Sequence, residues 1–265
     1  MAAKERSTLL DVLVAAGIDP SRMMPGTGCC SVTETVELTA HAVKHGCAGV
    51  LMLPPFYYKN VSEEGLYRYF SEVVRRVGDT RLKIYLYHIP PVAIVGITPK
   101  LVERLLKAYP NAIAGMKDSS GDWNNTKTFL DAFAVRAGRA VSGFDVFVGS
   151  ESFLLANMRN GGVGTISATA NVNPAAIHKL YRQWNTAGDA DNADQQQSKL
   201  NAVREVFSSR EFPSMIAALK QAIAIYRNDP EWSHVRPPLV ELTKEQSKLL
   251  AAELKAIGFT MPNIA

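Results

Sequence analysis

A chain of 265 residues with 47% hydrophobic and 20% charged side chains can fill one large core, which excludes a disordered or purely solvating segment. Its 29 basic and 25 acidic residues leave a net charge of +4, spread so evenly that Arg75-Arg76 is the densest basic pair, so the composition argues against nucleic-acid binding. The start has no basic-then-apolar leader plan, and the most apolar stretch, 215–226, is broken by Lys220 and Gln221.

The sequence predicts a first helix from Glu5 to Ala16. Six short apolar runs follow: Met23–Gly28, Ala48–Pro55, Lys83–Pro90, Ala112–Lys117, Phe144–Gly149 and Val163–Ala168. Their starts lie 19 to 35 residues apart, room for one helix and two short loops, which is the βα repeat of a parallel sheet. Helix starts fall in the gaps. Ser31-Val-Thr-Glu34 reads as a capping box, Ser62-Glu-Glu opens a second helix, and Thr98-Pro99 puts proline at the first position of a third.

After Pro174 the alternation stops. Residues 175 to about 257 carry helical periodicity, interrupted at Asn228-Asp-Pro and Arg236-Pro-Pro. The expected fold is therefore α/β, a (β/α)8 barrel with a C-terminal helical extension. Residues 1–174 supply six visible βα units of an N-terminally truncated barrel, the first two strands being absent, and residues 175–265 supply the remaining barrel helix and the extension. Open strand edges are expected at Met23–Gly28 and Val163–Ala168.

Alternation along Ala112-Ile-Ala-Gly-Met-Lys117 puts Ile113, Gly115 and Lys117 on one face. Lys117 then ends a strand where such barrels place catalysis, with Gly115 removing bulk beside its stem. An amine enclosed in this way is partly desolvated, which favours the neutral nucleophile that imine chemistry requires. A solvent-exposed lysine beside Asp118 is the competing reading. Tyr85 and Tyr87 share a face of the run before it, and Tyr87, at the strand end before the stiff Ile89-Pro90-Pro91, is placed to carry a proton. A core tyrosine with its hydroxyl satisfied would look the same.

Gly26-Thr-Gly28 is too short for a dinucleotide fingerprint, whereas Gly161-Gly-Val-Gly164 fits either an anion site or close packing. Glu37, His41 and His45 recur every four residues on the face opposite Val36, Ala40 and Val43, which reads as a solvated helix surface; no metal site is expected. Cys29, Cys30 and Cys47 lack zinc-ligand spacing and read as reduced thiols of a cytoplasmic protein.

Four ordered motifs together resemble the dihydrodipicolinate synthase and N-acetylneuraminate lyase family of class I Schiff-base aldolases. They are Pro54-Pro-Phe-Tyr-Tyr58 with Glu64-Gly-Leu, Tyr87-His-Ile-Pro90, Gly115-Met-Lys117-Asp-Ser and Gly161-Gly-Val-Gly-Thr-Ile-Ser167. The resemblance implies a lyase that condenses pyruvate or another 2-oxo acid with Lys117, uses Tyr87 as proton shuttle and needs no cofactor beyond that imine. It also implies a pocket wall near Gly149 and Ile166, and an aromatic residue, Tyr57 or Tyr58, at a subunit contact near the site. The partner is an aldehyde, and the assembly a homotetramer or homodimer.

Two departures are legible. Val92 stands where dihydrodipicolinate synthases carry an arginine for the second substrate's carboxylate, and the family's Gly-Thr-Thr-Gly-Glu loop has no counterpart in the sequence. The first leans away from the synthase proper toward a 2-keto-3-deoxy-sugar-acid aldolase or dehydratase. A phosphate-binding barrel and a catalytically impaired homologue remain open alternatives.

Overall fold

The computed structural model describes residues 1–134, 143–185 and 190–261, which divide into two compact units. The first unit comprises Met1–Gly149 with Asn160–Val163, and the second Ser150–Arg159 with Gly164–Ala265. Among the described residues no helix is long and apolar enough to cross a membrane.

The first unit alternates helices and strands as the spacing predicts. In chain order its elements are α1 (Ala3–Ala15), α2 (Val32–Lys44), β1 (Val50–Met52), α3 (Glu63–Val77), β2 (Ile84–His88), α4 (Pro90–Ala93), α5 (Pro99–Ala108), β3 (Ile113–Asp118), α6 (Trp123–Phe133) and β4 (Asp145–Val148). Local chemistry sets the starts. Ser31, Ser62, Thr98 and Asp122 each accept a backbone N–H of the first turn with a side-chain oxygen, each cap contributing about 1 kcal/mol. Gly78 ends α3 in the left-handed conformation, φ 61°, which glycine adopts without steric cost.

Strands β1 to β4 pair in parallel, in chain order. One sheet face carries Val50, Met52, Ile84, Leu86, Met116 and Val146, all essentially inaccessible. They pack in one core with Phe70, Leu101, Leu105, Phe129 and Leu130 of the helices. Burying each such side chain contributes about 1.5–3 kcal/mol, so this packing and not strand propensity fixes which face meets the helices.

Two expectations need correction. The run Met23–Gly28 makes a single parallel bridge, Gly26 to Leu51, instead of a strand. Pro25 has no N–H to give the ladder, and Gly26 and Gly28 weaken a strand, although the glycine at 28 is what lets the chain pass Leu53, whose backbone nitrogen would lie 2.3 Å from an added Cβ. A groove of about 450 Å³, lined by Leu9, Leu10, Leu13, Met23 and Met24, borders this segment. Second, Ile113 does not share a face with Gly115 and Lys117. The register with β2 shifts, Ile84 opposing Ile113 but Tyr85 opposing Gly115, so Ala114 is the extra residue of a bulge. Ile113 is thereby returned to the helix-side core, 1% exposed.

The second unit is mostly helical: α7 (Leu154–Arg159), the short β5 (Gly164–Thr165), α8 (Pro174–Gln183), α9 (Ala190–Phe207), α10 (Met215–Arg227) and α11 (Lys244–Ala256). Phe207, Phe212, Leu219, Leu250 and Leu254 form one core cluster; Leu154, Leu155, Ile177, Leu180 and Leu200 form another. The interruption read at Asn228 is a left-handed cap, φ 52°, whose N–H returns to Ala224 and Ile225.

Candidate active site

The face of the first unit's sheet opposite the helices is built in layers. Leu51, Tyr85, Gly115 and Asp145 share one level by register, and Tyr87, Lys117 and Phe147 share the next, toward the C-terminal ends of the strands. In the lower layer Tyr85 Oη donates to Asp145 Oδ2 at 3.1 Å. Burial, reinforced by the neighbouring carboxylate, pushes the Tyr85 hydroxyl up to about 12. Burial also raises the Asp145 carboxyl, against the lowering effect of the Tyr85 hydrogen bond.

Glycines make room for this layer. A Cβ at Gly49 would lie 2.8 Å from the Tyr85 ring, and one at Gly115 would lie 2.3 Å from Asp145 O and 2.9 Å from Tyr85. Gly115 therefore accommodates Tyr85 and Asp145, not the lysine stem as the sequence suggested.

In the upper layer Lys117 and Tyr87 are direct register partners. Lys117 Nζ donates to Tyr87 Oη at 3.1 Å and lies 4.3 Å from the centre of the tyrosine ring. Both side chains are half-buried. An amine and a phenolic hydroxyl thus sit within hydrogen-bond reach at the ends of adjacent strands, a geometry that nucleophilic and acid–base chemistry can use.

The strand end is held from behind. Asp118 alternates to the helix side, where it is 3% exposed, so it does not lie beside Lys117 in solvent. Its carboxylate accepts from Ser120 N at 2.8 Å, Ser120 Oγ at 3.1 Å, Asn125 Nδ2 at 3.1 Å and Thr126 Oγ1 at 2.5 Å. This tie between the end of β3 and the start of α6 fixes the backbone that presents Lys117. Across the ladder from Asp118 stands His88, also buried, whose Nδ1 accepts the Ile97 N–H at 2.9 Å. Neither role was read from the sequence, although the Lys-Asp-Ser and Tyr-His spellings carried the signal.

The remaining expected residues are placed as follows. Gly149 follows β4 directly; its N–H donates to Asp118 O at 2.7 Å, and a Cβ there would overlap Ser119 Oγ at 1.9 Å. Tyr57 and Tyr58 lie in the loop after β1, 75% and 74% exposed, their rings edge to face at 5.2 Å. Ile166 lies in the second unit, half-buried just after β5. Val92 is on α4 and 73% exposed. Lys59, missed in the sequence, reaches that helix: its Nζ donates to Ala93 O at 2.9 Å and also to Phe56 O.

The model of the dihydrodipicolinate synthetase family matches residues 1–257. The chain is 36% identical over 255 residues to a 4-hydroxy-tetrahydrodipicolinate synthase of Thermus thermophilus, covering 96% of this chain and 80% of that protein. It is 30% identical over 257 residues to a probable 2-dehydro-3-deoxy-D-pentonate aldolase of Escherichia coli K12, covering 97% and 78%. Its structure resembles that of YagE, a prophage protein of the dihydrodipicolinic acid synthase family from Escherichia coli K12, in complex with pyruvate. The TM-score is 0.85 at 27% identity, over 98% of this chain and 83% of that one.

The fold is therefore of the (β/α)8-barrel class, and the protein is a lyase. It belongs to the dihydrodipicolinate synthetase family.

Proposed function

We propose that the protein is a Schiff-base lyase in which Lys117 condenses with pyruvate or a related 2-oxo acid and Tyr87 moves the protons. The observation that carries this reading is the 3.1 Å contact between Lys117 Nζ and Tyr87 Oη at adjacent strand ends. The neutral amine attacks the 2-oxo carbon, and the carbonyl oxygen, after proton transfer, leaves as water. The Tyr87 hydroxyl is close enough to Nζ to pass that proton. The resulting iminium accepts an electron pair, either from the α C–H as its proton leaves or from a C–C bond that breaks as the hydroxyl on the departing carbon gives its proton to the Tyr87 oxygen and becomes an aldehyde. An enamine forms in both cases. No cofactor beyond the lysine imine is needed. Gly149 and Ile166 belong to the pocket wall in this reading, with Tyr57 or Tyr58 at a subunit contact of a cytoplasmic homotetramer or homodimer.

Among aldehyde partners, a sugar-acid-type aldehyde is favoured over aspartate semialdehyde, because exposed Val92 offers no cation to a second carboxylate. The relative from Escherichia coli named for a deoxy-pentonate supports that lean. The test is reduction with borohydride in the presence of pyruvate, followed by mass-spectrometric mapping. A stable adduct of pyruvate mass at Lys117 is expected. No adduct, or one at another lysine, would overturn the assignment.

A further inference from the structure

A second constellation lies between α1 and α2. Asp11 of α1 meets His41 and His45 of α2, and one donor atom from each falls within 4.8 Å of the others. His41 and His45 are one helical turn apart, the spacing at which two imidazoles on one helix face chelate a cation. Both aim Nε2 at the same oxygen. Asp11 Oδ1 is 2.8 Å from His41 Nε2 and 2.7 Å from His45 Nε2. Only the His45 contact is a hydrogen bond; His41 Nε2 is buried and has no hydrogen-bond partner. The rings meet edge to face, 4.7 Å between centroids, so the two nitrogens converge without stacking.

A buried nitrogen without a hydrogen bond, 2.8 Å from a carboxylate that its neighbour already engages, costs free energy as a proton network. The same atom is satisfied as a dative ligand. We propose that Asp11, His41 and His45 form a site for a divalent transition cation of the zinc class that ties α1 to α2. Two imidazole nitrogens and one carboxylate oxygen suit zinc and its neighbours, whereas magnesium and calcium take oxygen ligands. Metal–ligand bonds of about 2.0–2.1 Å in a tetrahedron would separate the ligand atoms by about 3.3 Å. The observed 2.7 and 2.8 Å need open by only about half an ångström, which half-exposed Asp11 permits by a small side-chain rotation. Three protein ligands leave a fourth position for water.

The consequence is structural. α1 has a single buried residue, Leu10, so apolar packing holds it weakly. A cation bonded across the pair would add to the hydrogen bonds that Arg6 gives to Cys29 Sγ and Gly26 O from the same helix. None of this depends on Lys117.

The experiment uses the full chain, stripped with a chelator and titrated with zinc chloride, with calorimetry and thermal unfolding as readouts. One zinc per chain and a raised Tm are expected, with binding weakened more than about tenfold in His41→Ala and in His45→Ala. Magnesium chloride should leave Tm unchanged. Diethylpyrocarbonate labelling of the unaltered chain, mapped by mass spectrometry, keeps the test open if a variant misfolds: zinc should protect both histidines. Absence of stoichiometric binding, binding as tight in either variant as in the unaltered chain, an equal shift with magnesium or unprotected histidines would each overturn the site.

Discussion

Tyr87 and Lys117 oppose each other in register on β2 and β3, and the lysine amine both donates to the tyrosine hydroxyl and lies over its ring. Neither side chain can be moved along its strand without moving its partner, because the ladder below them is locked by Tyr85, Gly115 and Asp145. The pair is therefore a property of the sheet, not of two loops that happen to meet. If Tyr87 carries protons, Tyr87→Phe should lower kcat by roughly 10²–10⁴ while imine trapping, though slowed, persists. A variant with near wild-type kcat and only a raised KM would assign Tyr87 to binding instead.

Lys117→Arg keeps the charge and most of the reach but not the chemistry, since a guanidinium stays protonated and cannot attack a carbonyl. Trapping with pyruvate should disappear in Lys117→Arg as fully as in Lys117→Ala. Retained adduct of the same mass in either variant rules Lys117 out.

Much of this arrangement was legible in the residues. Alternation placed Tyr85 with Tyr87 and Gly115 with Lys117, and five of the six apolar runs marked strands in order, Met23–Gly28 giving only a bridge. Ile113 was misplaced because a bulge is decided by tertiary packing: the helix-side core takes Ile113 at the cost of one unpaired residue, Ala114. An exposed Lys117 beside Asp118 stayed open as a reading because the partners that hold Asp118, Asn125 and Thr126, lie seven and eight residues away on a helix face that periodicity alone does not aim. Asp11 meeting His41 and His45 was illegible for the same reason. The histidines share a helix, but only the packing of α1 on α2 brings the carboxylate to them.

Gly115→Ala tests the layer beneath the pair. The new methyl would sit 2.3 Å from the Asp145 carbonyl oxygen, a backbone atom that cannot swing aside as a flexible side chain would. Overpacking of this kind costs about 1–3 kcal/mol and should lower Tm. Gly65→Ala is the control, exposed on α3 with Ser62 Oγ at 3.4 Å as its nearest neighbour, and should leave Tm unchanged or raised. Equal Tm for the two variants would show that β3 and β4 relax apart freely.

Substrate choice is tested at Val92. Lys59 puts a cation one residue away, but it is engaged by the Ala93 and Phe56 carbonyls. A missing charge-assisted contact to a substrate carboxylate weakens the transition state by about 2–4 kcal/mol. Aspartate semialdehyde should therefore rank low in kcat/KM among aldehydes offered with pyruvate, and Val92→Arg should raise it about tenfold or more relative to a neutral aldehyde. The argument fails if the unaltered enzyme already prefers aspartate semialdehyde.

His88 predicts how stability should respond to acid. It is 5% exposed, and its Nδ1 accepts the Ile97 N–H. Burial pushes the imidazole below its ordinary 6.5, with the charge of nearby Asp118 acting in the opposite direction. Protonation would consume the lone pair that Ile97 uses and leave a buried charge. The unfolded chain takes up this proton near the ordinary value and the folded chain resists it, so acid favours unfolding. The contribution is complete above 6.5 and is lost as the pH falls from there through the depressed folded value. Asparagine offers an amide oxygen to the same N–H and does not titrate. Tm measured from about pH 7.5 to 5 should fall less steeply in His88→Asn than in the parent chain, the other histidines being common to both. Parallel slopes would mean that His88 is protonated in the folded state as readily as in the unfolded one.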